Sequence, residues 1–361
     1  MGCARVIRLS ATAALAALAL ATTALASGPE VEAPVALAVA GPSWAAPQIA
    51  EVVSAGLMGP GVASFGPEDP LTRGELHDAI LALGKRHRAP LDPARPVTMR
   101  ELDAQLVAAA GLLPAARSIR LAARAAGLEP TDMLGTETVA RLLGLRLNHP
   151  AGSEHLERSP KTVASRAEAA YSLAKLRLVD SGRIAYIGEL GAGFSIPLLT
   201  TWQRSVLSRA LRFVGYPYVF AGSSEKTQKI WSATTRGGLL SVPGGFDCSG
   251  FVWRVFKLQP FDGAPLLASV LKGRTTYAMS GEVAHAARVG AGALLPGDVL
   301  FFGSRGAKSK PTEVGHMGLY VGNGWFVHSS SGGVTLQPLQ GWYATTLAWA
   351  RRPLSEAGLF A

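Results

Sequence analysis

Three residues in the C-terminal half have the types and spacing for covalent chemistry: Cys248 in GGFDCSGFVWRVF, His316 in GHMGLYVG and His328 in GWFVHSSS. A thiolate attacks carbonyl carbon, and an imidazole is the side chain suited to proton transfer near neutral pH. Cys248 follows Gly244-Gly245-Phe246-Asp247 and precedes an apolar, helix-compatible run, which puts the sulfur at a predicted helix N-terminus. There the helix dipole and the unpaired N–H groups favour thiolate, lower the cysteine pKa and hold an oxyanion. His316 opens a short alternating run that reads as a strand, Asn323-Gly324 signals a hairpin, and the returning strand carries His328 twelve residues on. On adjacent antiparallel strands the two rings share a face, so that His328 accepts the other ring N–H of His316 and orients it. Without that context either histidine is a surface strand residue. Five others, His77, His87, His149, His155 and His285, are given no role.

Such groups need a scaffold, and 361 residues suffice for two or three domains. Arg5 and Arg8 precede an apolar run over 9–25 that closes on Ala24-Leu25-Ala26, the pattern of a secretory signal peptide cleaved after Ala26. Cleavage removes Cys3 and leaves Cys248 as the only thiol, so no internal disulfide is expected. No other stretch approaches the roughly 20 apolar residues of a membrane span. The mature chain is therefore expected to be secreted, at the cell wall or cell surface, with no stable span. A Pro- and Ala-rich linker is expected over 27–43. Residues 27–203 carry 17 basic against 18 acidic side chains, and residues 204–361 carry 16 against 7. That basic excess suits a polyanion such as a wall polymer or a lipid head group, or is a solvated face without a specific partner. No nucleic-acid motif is found. H-E-x-x-H, P-loop and Rossmann strings are missing too, so no metal and no cofactor is expected.

From residue 44 to 178 the chain reads as short amphipathic helices separated by Gly and Pro. Thr72-Arg73-Gly74-Glu75, Thr98-Met99-Arg100-Glu101 and Ser165-Arg166-Ala167-Glu168 are three candidate capping boxes. Around the first, WAAPQIAEVVSAGLMGPGVASFGPEDPLTRGELHDAILAL resembles an S-layer homology repeat; SPKTVASRAEAAYSLAKL (159–176) resembles the second half of one, and PVTMRELDAQL (96–106) does so more weakly. That resemblance implies a degenerate three-repeat helical module able to bind anionic wall polysaccharide. The irregular middle and the missing aromatic opening of the third unit leave a purely structural helical domain as the other reading. Residues 179–204 form a connecting segment, where SGRIAYIGELGAGFSIPLL has strand-like apolar spacing, and a new domain starts within it.

GYPYVFAG (215–222), the cysteine string, LLPGDVLFF (294–302) and the two histidine strings together resemble the NlpC/P60 family over about 205–352, with a C-terminal tail over 353–361. The resemblance implies an α+β, papain-like domain in which a helix bearing the cysteine packs on an antiparallel sheet carrying both histidines. It implies Cys248 as nucleophile, His316 as base and His328 as the third group. Tyr218 matches a tyrosine beside the nucleophile, or is core; Asp247 and Ser249 match residues that bind the free amino end of the substrate. The implied activity is hydrolysis of peptidoglycan stem peptides through an acyl-enzyme, at the bond between D-glutamate and the following diamino acid. An amidase or acyltransferase on the same Cys-His site, and a catalytically silent wall-binding protein, are the alternatives. The sequence departs from the family pattern by long segments at 223–244 and 258–289, lengths at which loops shape or cover a binding site.

Overall fold

The computed structural model describes residues 43–359 apart from 60, 151, 232–237 and 259. The expected signal peptide, Cys3 and all of the expected linker but Ser43 lie outside the described residues. After α1 (Ala46–Ser54), Thr72 caps α2 (Arg73–Ala82) and Thr98 caps α3 (Met99–Ala109). Next come α4 (Leu113–Ala125) and α5 (Leu134–Leu142), and Ser165 then caps α6 (Arg166–Arg177). At Thr72 and Thr98 the glutamate three residues on accepts from the cap N–H at 2.8 Å. Ser165 accepts from Glu168 N–H at 3.3 Å, but the Glu168 carboxylate turns toward Arg146, 3.8 Å away. The third string is thus half of a capping box.

The residues just before these caps close a ring. Val97 N–H donates to Leu71 O at 2.9 Å, Ala164 N–H to Val97 O at 2.8 Å, and Leu71 N–H to Ala164 O at 2.8 Å. All three side chains are buried. Each extended segment pairs with both others, so the buried backbone groups are satisfied without an open edge.

The strand-like reading of 181–199 is corrected here. That stretch begins with a helix, α7 (Ser181–Gly193), capped by Asp180, which accepts from Arg183 N–H at 2.7 Å. A Cβ at Gly191 would lie 2.5 Å from Ala115 Cβ, so this glycine permits close contact between α7 and α4 rather than marking a turn.

The C-terminal part opens with α8 (Thr201–Leu211). Short β1 (Ser223–Ser224) pairs with β4 (Gly245–Phe246), and between them β2 (Gln228–Trp231) and β3 (Leu239–Val242) form an antiparallel pair within the first long segment. Then come α9 (Cys248–Phe256), α10 (Leu267–Val270) and α11 (Thr276–Gly281). The main sheet is built from β5 (Val299–Gly303), β6 (Val314–Gly322), β7 (Trp325–Ser330) and β8 (Gly333–Pro338), followed by α12 (Trp342–Thr346), β9 (Leu347–Arg351) and α13 (Pro353–Glu356). Its order is β8-β7-β6-β5-β9, antiparallel throughout. Phe251, Val252, Val255 and Phe256 of α9 share a core with Met317, Leu319 and Val327, while Leu300, Phe302 and Phe326 form a second cluster. Alternation along the strands thus buries both faces of the sheet. Residues 43–359 belong to one compact unit. Among the described residues no single helix is long and apolar enough to cross a membrane.

A charge cluster lies buried in the helical part. Arg146 Nε is 3.0 Å from Asp103 Oδ2, Arg141 Nη1 is 2.6 Å from Glu137 Oε2, and Glu168 approaches Arg146. Three carboxyls thus face two guanidiniums out of reach of water. Burial first, then the Asp103 charge, pushes the Glu137 carboxyl up to about 7 against the pull of Arg141 and Arg146. A carboxyl raised by folding adds stability that is full below its unfolded pKa and is lost as pH rises through the folded value. Thermal melting between pH 5 and pH 8 is expected to show lower stability toward pH 8, with a shallower slope in Glu137→Gln; equal slopes in the two proteins would contradict this assignment.

Candidate active site

Cys248 is the first residue of α9, and Asp247 caps the helix by accepting from Gly250 N–H. The sulfur is 9% exposed as part of its residue, lies 3.3 Å from Thr276 Oγ1 at the start of α11, and is approached by the N–H groups of Met317 and Ser249. Burial nevertheless pushes the thiol up, as does the Asp247 charge; Thr276, Met317 and Ser249 act in the opposite direction. The expected lowering of this pKa is therefore not found. Removing the sulfur from water costs the thiolate more than these three donors return.

The two histidines meet across β6 and β7, with His316 Nε2 2.8 Å from His328 Nδ1. His328 Nε2 lies 3.1 Å from Gln337 Oε1 on β8. Burial holds His316 down to about 4 and holds His328 well below the usual imidazole range, so both rings are neutral at pH 7. Their tautomers follow in sequence. The Gln337 oxygen only accepts, so His328 Nε2 carries the proton; His328 Nδ1 then accepts from His316 Nε2–H. His316 Nδ1 is left with its lone pair, as a base requires. No hydrogen bond joins His316 to Cys248, whose sulfur instead meets Thr276 and the N–H of Met317, the residue after His316.

Gly318 makes the approach of the rings possible. A Cβ there would lie 2.9 Å from His328 Cβ and 2.9 Å from Val327 O. The register of β5 and β6 shifts at Phe302/Gly303, beside His316, a bulge of the kind that re-aims a side chain. Phe326 stacks on His328 with centroids 4.5 Å apart, and Tyr343 stands 5.0 Å from His328 and 6.0 Å from His316. This apolar wall is the source of the depressed imidazole values.

Behind Cys248, Arg274 draws the remaining groups together. It donates to Ser249 Oγ at 2.8 Å, to Asp247 Oδ1 at 3.2 Å and to Ala221 O at 3.1 Å. Ser249 also donates to Asp247 Oδ1 at 3.0 Å. Asp247 and Ser249, expected at the amino end of a substrate, are here tied to the cap and to Arg274. Tyr218 is half-buried near Cys248: its hydroxyl pKa is raised by burial first, then by the charges Cys248 and Asp247 would bear. Sequence reading missed Arg274, Thr276, Gln337 and Tyr343. The run Arg274-Thr275-Thr276 was the available signal, a polar string followed by a helix in what read as an inserted loop.

The family model described as NlpC/P60 family matches residues 215–352. The C-terminal region is an NlpC/P60 domain. The probable peptidoglycan endopeptidase LytE of Bacillus subtilis is 33% identical over 138 residues, 38% of this chain and 30% of its own length. The murein DD-endopeptidase MepH of Escherichia coli is 29% identical over 131 residues, 36% of this chain and 37% of its own. The gamma-D-glutamyl-L-lysine dipeptidyl-peptidase of Bacillus subtilis is 29% identical over 151 residues, 40% of this chain and 38% of its own. The chain thus spans about a third of the length of these curated relatives. The NlpC/P60 domain supplies the cysteine, both histidines and the glutamine that orders them.

Replacing Gly318 tests that order. Gly318→Ala is expected to push His328 away from His316 and to lower peptide hydrolysis on the order of 100-fold, measured as turnover of a soluble muropeptide. Wild-type turnover in this variant would show that the two rings need not touch.

Proposed function

We propose that the chain is an exported peptidoglycan endopeptidase that hydrolyses stem peptides with Cys248 as nucleophile and His316 as base, oriented by His328. The observation that carries this reading is the line of hydrogen bonds from Gln337 Oε1 through His328 to His316 Nε2, on the sheet that packs against the helix headed by Cys248. In the forward step the sulfur bonds to the scissile carbonyl carbon as its proton passes to His316 Nδ1. The Cys248 N–H at the start of α9 is the donor offered to the developing oxyanion. His316 then gives that proton to the departing amine, leaving an acyl-enzyme, and a water deprotonated by His316 releases the acid and restores the thiol. His328 holds the Nε2 proton throughout and keeps Nδ1 in place.

The bond between D-glutamate and the diamino acid is the proposed target. Its support is the NlpC/P60 pattern of Cys248, His316 and His328 together with a relative named as a gamma-D-glutamyl-L-lysine peptidase. Export is inferred from the signal-like residues 1–26. For the helical part we propose contact with anionic wall polysaccharide. The support is the recurrence of three S/T-capped helices whose lead-in segments close one ring.

Digestion of purified peptidoglycan by residues 27–361, beside the same chain with Cys248→Ala, tests the reading by mass spectrometry of the soluble products. Fragments ending in D-glutamate from wild type alone are expected. Fragments cut between two D-residues would move the target bond, joined peptides would indicate an acyltransferase, and no fragments from either protein would remove the peptidase assignment.

A further inference from the structure

The backbone that carries Tyr218 is held from the helical side. Arg141, on α5, has a side chain 4% exposed and donates from Nη2 to Gly215 O at 2.6 Å and from Nη1 to Glu137 Oε2 at 2.6 Å. Seven residues on, Asn148, with its amide turned as its neighbours require, donates to Tyr218 O at 3.1 Å and to Glu157 Oε1 at 3.0 Å. The helical part thus grips both ends of the segment 215–218.

From there the linkage runs to the nucleophile through backbone bonds alone. Gly215 N–H donates to Val334 O at 3.0 Å and Val334 N–H to Tyr216 O at 2.7 Å, which fixes the segment against β8. Phe246 N–H donates to Pro217 O at 3.1 Å and Val219 N–H to Phe246 O at 3.2 Å. Phe246 is followed by Asp247 and Cys248. The segment held by Arg141 therefore sets both the position of Tyr218 and the entry of the chain into α9.

We propose that Arg141 is a positioning residue for the peptidase site, so that the helical part is a working component of the catalytic centre as well as a wall-associated module. The planar fork of a guanidinium reaches Gly215 O and Glu137 together, which a lysine ammonium on its single stem does not reproduce. This inference rests on the reading of Cys248 as nucleophile, and it predicts an effect through geometry, since Arg141 itself touches neither the sulfur nor His316.

Arg141→Lys in residues 27–361 is the first variant, because it keeps the buried positive charge beside Glu137 and Asp103. The second is the double variant Glu137→Gln with Arg141→Met, which removes both members of the pair and leaves no carboxylate stranded by the change. Two readouts apply to whichever variant melts within a few degrees of wild type: kcat and KM on a soluble muropeptide, and the rate at which iodoacetamide alkylates Cys248. A loss on the order of tenfold in kcat/KM, carried by kcat, together with a several-fold change in alkylation rate, is expected. Wild-type values of both in a folded variant would overturn the proposal, as would melting of both variants well below wild type, since Arg141 would then be a stability residue only. If wild type itself fails to cut peptidoglycan, the functional reading falls, while the alkylation rates still decide whether Arg141 governs the setting of Cys248.

Discussion

A histidine acts as a base at one nitrogen only when its other nitrogen is committed as a donor. In this protein the commitment is the 2.8 Å hydrogen bond between His316 and His328, with Gln337 fixing the far end at 3.1 Å. Much of the peptidase part can be read as what this chain of bonds requires. Three neighbouring strands must bring one group each into line, β6 must offer a residue without a side chain at Gly318 where His328 of β7 comes close, and water must be kept from competing for the ring nitrogens. Phe326, Phe302 and Tyr343 meet the last requirement. Their effect is electrostatic as well as steric, because burial, complete at His328 and partial at His316, keeps both imidazoles uncharged.

The nucleophile is subject to the same constraint from the other side. Cys248 has the N-terminal helix position that favours a thiolate, yet its near-sealed surroundings keep it a thiol. On the proposed mechanism, a neutral thiol and a neutral imidazole form a resting pair in which charge separates only when a substrate is bound and its carbonyl carbon accepts the sulfur. Cys248 meets Thr276 rather than His316, consistent with catalytic hydrogen bonds that are loose before substrate arrives and tighten afterwards. Arg274 stabilises the scaffold of this pair by joining the helix cap to the loop at Ala221 and Gly222.

What could be read in advance follows the range of the interactions. The cysteine at a helix start, the strand-turn-strand around Asn323-Gly324 and the capped helices at Thr72, Thr98 and Ser165 are local features, and their strings announce them. Arg274, Thr276 and Gln337 become part of the site only through contacts between distant segments, so their strings alone looked like loop and strand filler. Gly188, Gly191 and Gly193 punctuate the apolar pattern of 181–199 into strand-like spacing; packing of α7 on α4 supplies the reason for Gly191 that no local rule gives. The direction of the Cys248 pKa was misjudged for the same cause, since helix position is visible in sequence and the degree of burial is not.

The central claim is that Cys248 gives its proton to His316. The most direct measurement is the rate of Cys248 alkylation by iodoacetamide as a function of pH, in residues 27–361, for wild type and His316→Ala; Cys248 is the only thiol in that span. The account predicts that wild type reacts faster across pH 5 to 8, with an added limb at acid pH where His316 takes up a proton. It predicts that His316→Ala loses this limb and reacts only as a buried thiol titrating above its ordinary range. Superimposable profiles for the two proteins would contradict it.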